Sequence, residues 1–172
     1  MTSFTNARGF TLIETLVYLA LFAILMGGGA IAAYNLFDAA VHGGTRVMLQ
    51  EETDFIMAKV EWALYGAQSV TAPATGTTGN SITIVKWNAP PSGNPIVISR
   101  NGTDLTLSQG GGTPAVLNNT NIEISNITFN HVAAAGDGTV PEYVETVITV
   151  TARAGNGFVL SRTATSTVYL RK

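Results

Sequence analysis

The chain contains no cysteine, only two histidines and few charged residues, and each shortage excludes a class of site. Charged side chains make up 12% of the 172 residues, and the net charge is −2. Without cysteine no disulfide can form, and a thiolate metal site is excluded. The charge balance offers no basic surface of the kind that binds nucleic acid. We therefore predict no nucleic-acid partner, and a folded part that is held together by packing and hydrogen bonds alone.

The sequence also lacks the short motifs that carry common enzyme chemistry. His42 and His131 lie far apart in the chain, and neither a nucleophile elbow nor a zinc-binding HExxH helix is present. Gly110-Gly111-Gly112 lacks the Lys-Ser/Thr of a phosphate-binding loop and is interpreted as a linker. We predict no catalytic residues, no cofactor and no enzymatic activity.

One group of acids is worth considering as a calcium site. Asp137, Glu142 and Glu145 lie around a glycine-rich turn, and carboxylate oxygens are the ligands that calcium prefers. Their spacing matches no EF-hand, and acids in such a turn are usually just solvated. We therefore predict no metal site and keep calcium as an alternative.

What the chain does have is one long apolar run near its start. A polar leader whose only charge is Arg8 precedes it, and no charged side chain occurs from Thr15 to Phe37. That stretch exceeds the ~20 residues needed to cross a lipid bilayer. We predict a transmembrane helix at about 15–37, anchored in the cytoplasmic (inner) membrane. The basic leader favours an N-terminus kept inside, with the C-terminal head outside the cytoplasm.

One acid, Glu14, lies within this apolar segment. A charged side chain in a membrane helix costs roughly 2.5–3.5 kcal/mol on insertion scales, so it is normally paired or functional. Cleavage of the chain after Gly9 would give Phe10 a new amino group about one helical turn from Glu14. That amino group would be a positive partner for Glu14, either in the same chain or from a neighbouring one.

The stretch Gly9-Phe10-Thr11-Leu12-Ile13-Glu14, with the apolar run behind it, resembles the class III signal of type IV pilins and type II secretion pseudopilins. The resemblance implies that a prepilin peptidase cleaves after Gly9 and N-methylates Phe10, and that Glu14 is the assembly carboxylate. It also implies two further partners: other pilin or pseudopilin subunits in a helical filament, and an inner-membrane assembly platform. Many pilins close a C-terminal loop with a disulfide, and this chain departs from that pattern.

Within that family the layout is most similar to a minor pseudopilin of the J type, which implies a place near the filament tip and a role in priming assembly. A major pilin of the filament shaft is the alternative. Outside any filament, the chain could be a membrane-anchored β domain that binds a ligand. It could also be an ordinary secreted protein, because Ala30-Ile31-Ala32 has the pattern of a signal-peptidase site. Against secretion, Glu14 lies inside the region that would have to be apolar.

Beyond the membrane run the helix is predicted to continue with one buried face. Its apolar stripe recurs at helical spacing, with Met48, Phe55 and Trp62 widening it. The stripe consists of Leu49, Ile56, Val60, Ala63 and Ala67. Gly27-Gly28-Gly29 is expected to stay helical in a monomer, and Gly66 is the predicted C-cap.

The remainder of the chain predicts an antiparallel β head. Period-two patterns predict strands at about 81–87, 96–100, 103–108, 121–132, 143–154 and 158–170, and a surface loop at 71–80. Asn101-Gly102 is a strong hairpin signal, and Ser125-Asn126 indicates a bulge. The economical fold is α+β: a long N-terminal helix packed on one antiparallel sheet. The predicted domains are a leader at 1–9, a helix at 10–66 and a head at 67–172. Arg162 falls on the apolar face, which requires a bulge or an edge position.

Overall fold

The computed structural model describes residues 10–87, 90, 93–136, 139–153 and 157–170. The chain divides into two compact units, Met1–His42 and Gly43–Lys172. The single helix of the described ranges, α1 (Leu12–Leu64), begins in the first unit and ends in the second. The strands are β1 (Ala67–Ala72), β2 (Thr77–Gly79), β3 (Ser81–Lys86), β4 (Ile96–Asn101), β5 (Asp104–Gln109), β6 (Ala115–Val116), β7 (Ile122–Val132), β8 (Tyr143–Arg153) and β9 (Val159–Tyr169).

The two ends of α1 follow the local rules of helix capping. Thr11 precedes the first helical residue, and its hydroxyl accepts the Glu14 N–H at 3.3 Å, as an N-cap does. At the other end Gly66 has φ +74°, which confirms the predicted C-cap, because a left-handed residue commonly ends a helix. Lys86 Nζ donates a hydrogen bond to the Trp62 carbonyl at 2.5 Å and satisfies one of the last free carbonyls. Gly27-Gly28-Gly29 is helical throughout, as expected.

The second half of α1 supplies one wall of the core. The predicted stripe is buried at Leu49, Ile56, Val60 and Ala63. The expected widening by Phe55 and Trp62 is wrong, since these rings are 44% and 47% exposed. They flank the Lys59 ammonium instead, at 5.5 Å and 6.0 Å from their ring centroids. Ala67 is buried, but as the first residue of β1 rather than as part of the helix.

The head contains two antiparallel sheets, so the prediction of one sheet is wrong. The strand orders are β1-β3-β4-β5-β6 and β2-β7-β8-β9. The first sheet ends at β6, which has only two residues. The Asn118 amide accepts the Leu105 N–H and donates to the Ile122 carbonyl, both at 2.8 Å. This side chain therefore links backbone groups of β5 and β7, which belong to different sheets.

The predicted loop at 71–80 is also partly wrong, because β1 and β2 cover much of it. β1 pairs with β3, and β2 pairs with the end of β7. Both are edge strands with largely exposed side chains. An edge strand exposed on both faces has no alternating apolar pattern for a sequence to display.

The predicted hairpin and bulge are both present, but the hairpin loop is shifted by one residue. Asn101 pairs with Asp104, so the two loop residues are Gly102, at φ +64°, and Thr103, rather than Asn101 and Gly102. β7 shifts register between Ile124 and Asn126, at the predicted bulge. The inward side chains of β7 and β8 form the core with the helix and the first sheet. They include Ile124, Ile127, Phe129, Val144, Ile148 and Val150.

Arg162 lies on the edge strand β9, which was one of its two predicted explanations. Its guanidinium reaches from the half-buried face of β9 to α1. There it donates to the Gln50 carbonyl at 3.1 Å and lies 3.1 Å from the Asp54 carboxylate. The arginine therefore joins the sheet edge to the polar side of the helix.

Candidate processing and assembly site at the start of the helix

The apolar residues of the first unit lie on the surface of α1. Leu12, Ile24 and Phe37 are 82%, 73% and 74% exposed, and no part of the most apolar window is buried. Among the described residues, α1 is the one helix whose length and composition suit a membrane crossing. An exposed apolar surface of this size is unfavourable in water, so it needs lipid or other helices around it.

Glu14 is at the start of this apolar surface, in the first turn of α1. A negative charge there is favoured by the partial positive charge of the helix N-terminus. The carboxylate accepts a hydrogen bond from the Tyr18 hydroxyl at 3.3 Å. Within the described part of the chain, no cation forms an ion pair with Glu14. Among the described residues, the acid is therefore held by a neutral donor.

Phe10 precedes the helix and is 77% exposed. Its ring contacts the ring of Tyr18 edge to face, with centroids 6.4 Å apart and planes at 73°. Tyr18 therefore contacts both of the described residues that the sequence singled out. Gly9, the predicted leader end, lies outside the described residues.

Residues 4–30 match the prokaryotic N-terminal methylation motif. The match covers Phe10 and Glu14 and most of the exposed apolar surface of the first unit. It supports a type IV pilin-like class, a precursor processed by prepilin peptidase, and anchoring in a membrane. A pilin-like motif points to a structural subunit rather than an enzyme. Comparison with curated proteins and with solved structures gives no match.

A second group of polar residues lies inside the head, where the sequence predicted no contact for His131. The His131 ring is buried in β7, its Nε2 lies 2.7 Å from a Glu142 carboxylate oxygen and its Nδ1 lies 2.9 Å from the Pro73 carbonyl. Both ring nitrogens therefore lie within hydrogen-bond distance of an oxygen. These contacts join β7 to the segments before β2 and before β8, so we interpret His131 as a residue that stabilises the fold.

The three acids of the calcium alternative have different surroundings. Asp137 lies outside the described residues, Glu142 contacts His131, and a Glu145 oxygen lies 3.5 Å from the Asn130 amide. Over the described ranges, no three acidic or histidine side chains are grouped as a metal site. Glu142 is thus engaged by a protein partner.

A groove of about 600 Å³ runs between the last turns of α1 and the end of β9. Its aromatic lining includes Trp62, Tyr65 and Tyr169, of which Tyr65 is 79% exposed. Lys86 lies beside it, with Nζ 4.2 Å from the Trp62 ring centroid. Burial lowers the pKa of Lys86 below its usual 10.5, because a desolvated ammonium is less favourable than a neutral amine.

Proposed function

We propose that the chain is a structural subunit of a type II secretion pseudopilus or a type IV pilus-like filament. Prepilin peptidase removes residues 1–9 by cleavage after Gly9 and N-methylates Phe10. The observation that carries the proposal is the position of Glu14 within the methylation motif. It is an acid at the surface of an exposed apolar helix, with a neutral donor as its described partner.

Glu14 then pairs with the terminal amine of a neighbouring subunit. In lipid the two opposite charges attract far more strongly than in water, because the effective dielectric is low. An unpaired Glu14 has a cost in lipid that an assembled subunit avoids. The pair therefore favours the assembled state and fixes the axial offset between adjacent helices, while helix packing supplies the remaining cohesion.

The subunit is a minor one, most similar to a J-type pseudopilin, and primes the filament near its tip. The support is the layout: α1 leads into a head with several hairpins, and the last strand, β9, is rich in threonine. The domains are the leader at 1–9, the helix at 10–66 and the head at 67–172. The leader remains in the cytoplasm, the head lies outside it, and the assembly platform in the inner membrane extracts the subunit.

Neighbour crosslinking in membranes of the native host tests this assembly role. Because the chain has no cysteine, Ala23→Cys places a single reporter on the exposed face of α1. In this background Glu14→Gln keeps the side chain's size and removes its charge. We expect the crosslinked fraction to fall at least about tenfold, as for truncation of a desolvated charge pair, with cleavage after Gly9 unchanged.

Glu51→Gln is the matched control, since Glu51 is an exposed acid on the same helix and lies beyond the apolar run. Its crosslinked fraction should equal that of the unmodified reporter chain. Normal crosslinking of Glu14→Gln would contradict the assembly role.

One observation favours a second candidate, a membrane-anchored binding module outside any filament. The groove beside Trp62 and Tyr65 is shallow and open, and its exposed rings suit stacking against a sugar or another ring. This candidate requires no cleavage after Gly9 and leaves Glu14 without a charged partner. The N-terminus of the mature chain therefore separates the two.

A further inference from the structure

We propose that Tyr18 is a positioning residue that keeps the Glu14 carboxylate directed toward a neighbouring subunit. This inference rests on the assembly role proposed above and adds a residue to it. Tyr18 follows Glu14 by one helical turn, and helical side chains lean toward the N-terminus of their helix. Its hydroxyl thus reaches the Glu14 carboxylate at 3.3 Å, while its ring contacts Phe10.

Glu14 has a competing partner in its own helix. Thr11 and Glu14 have the spacing of a capping box, in which the threonine hydroxyl accepts the glutamate N–H and the glutamate carboxylate accepts the threonine N–H. The first of these bonds is present at 3.3 Å. Among the described hydrogen bonds, the second is replaced by the bond from Tyr18. The helix therefore has half a capping box, and the carboxylate contacts the side chain one turn further along the helix.

This difference decides where along the helix the carboxylate is held. A carboxylate that closes on the Thr11 N–H would use one oxygen and lie at the end of the helix, whereas the Tyr18 hydroxyl comes from the next turn. A carboxylate held by Tyr18 uses one oxygen, Oε1, and its other oxygen can still accept a bond from an ammonium group.

Removal of the hydroxyl alone tests the positioning role. Tyr18→Phe keeps the ring that contacts Phe10 and removes the donor to Glu14. In the Ala23→Cys reporter chain we expect the crosslinked fraction to fall about 3–10-fold, the size expected for one ordinary hydrogen bond, because 3.3 Å is long for a bond between two oxygens. Tyr34→Phe is the matched control, because it is the same chemical change on the same apolar helix, at a residue that is 72% exposed. It should leave crosslinking unchanged.

A double variant separates positioning from a general effect on the helix. If Tyr18 acts through the Glu14 charge, Tyr18→Phe should cause no further loss in a Glu14→Gln chain. Intact mass would show cleavage after Gly9 in every variant. Unchanged crosslinking of Tyr18→Phe, or an equal loss with and without Glu14→Gln, would overturn the positioning role while leaving Glu14 intact as the assembly residue. Normal crosslinking of Glu14→Gln would overturn both proposals.

Discussion

The two units of the chain use the same apolar residue types in opposite ways. In the first unit Leu12 is 82% and Ile24 73% exposed, whereas in the second Ile56 and Ile148 are fully buried. Apolar burial stabilises by about 25 cal/mol per Å² of surface removed from water. The second unit obtains that stabilisation from its own side chains. The first unit obtains it only from lipid or from other helices.

The partners of the polar side chains also differ between the two units. Inside the head, His131 and Glu142 satisfy each other, and Asn118 satisfies two backbone groups. In the first unit Glu14 has only a hydroxyl donor among its described partners. These buried polar groups thus have partners inside the head, while the first unit has an exposed apolar surface and an acid without an ion pair among the described residues. That contrast is what a subunit of a membrane-derived assembly requires.

The largest expected effect concerns the core of the head. Phe129 is fully buried in β7, and Phe129→Ala should lower the free energy of unfolding by about 3–5 kcal/mol, because it leaves a cavity. Phe37→Ala makes the same change at a ring that is 74% exposed, and should alter it by less than about 0.5 kcal/mol. Chemical denaturation of the full chain in detergent measures both. Similar losses of unfolding free energy for the two variants would contradict the difference in burial between the units.

A smaller effect is expected from the buried polar pair. His131→Leu removes a hydrogen-bond partner of Glu142 and of the Pro73 carbonyl, which should destabilise the head by about 2–4 kcal/mol. Adding Glu142→Leu should recover part of this loss, because the second variant removes the carboxylate that faces the new leucine. The same denaturation series reports the coupling. Strictly additive losses would show that the two side chains do not interact.

The smallest effect is expected at the sheet edge. Arg162→Met keeps the apolar stem and removes the contacts to Asp54 and Gln50. The pair is partly exposed, and such pairs contribute about 0.2–1 kcal/mol, so the loss should lie in that range and shrink in high salt. Asp54→Asn should give a similar change in the same measurement. A loss comparable to that of Phe129→Ala would mean that the edge belongs to the core.

The sequence predicted the features that are repeated along the chain. The apolar run, the helical stripe of Ile56 and Val60, and the alternation of β8 are periodic, and each marks an element that the structure contains. Asn101-Gly102 and Gly66 are local signals with a backbone cause. A hairpin forms one residue later than predicted, and Gly66 ends the helix. Glu14 could be singled out because an acid in an apolar run is a conflict visible in the sequence itself.

The features that were missed depend on contacts between distant or polar residues. Asn118 bonds to backbone groups of β5 and β7, which belong to different sheets, and no local pattern marks an asparagine for that role. β1 carries no alternation because it is an exposed edge. Tyr18 could have been found, since the spacing of four from Glu14 is helical, but within an apolar run a tyrosine resembles any other large side chain.

Processing after Gly9 is tested most directly by the N-terminus of the mature protein, measured by intact mass and terminal sequencing from native membranes. We predict a chain that begins at Phe10 and carries a methyl group on its amine. A chain that still begins at Met1 would contradict it, because Glu14 would then have no terminal amine to pair with. A chain that begins at Ala33 would contradict it more deeply, since Glu14 and most of the exposed apolar helix would be absent from the mature protein.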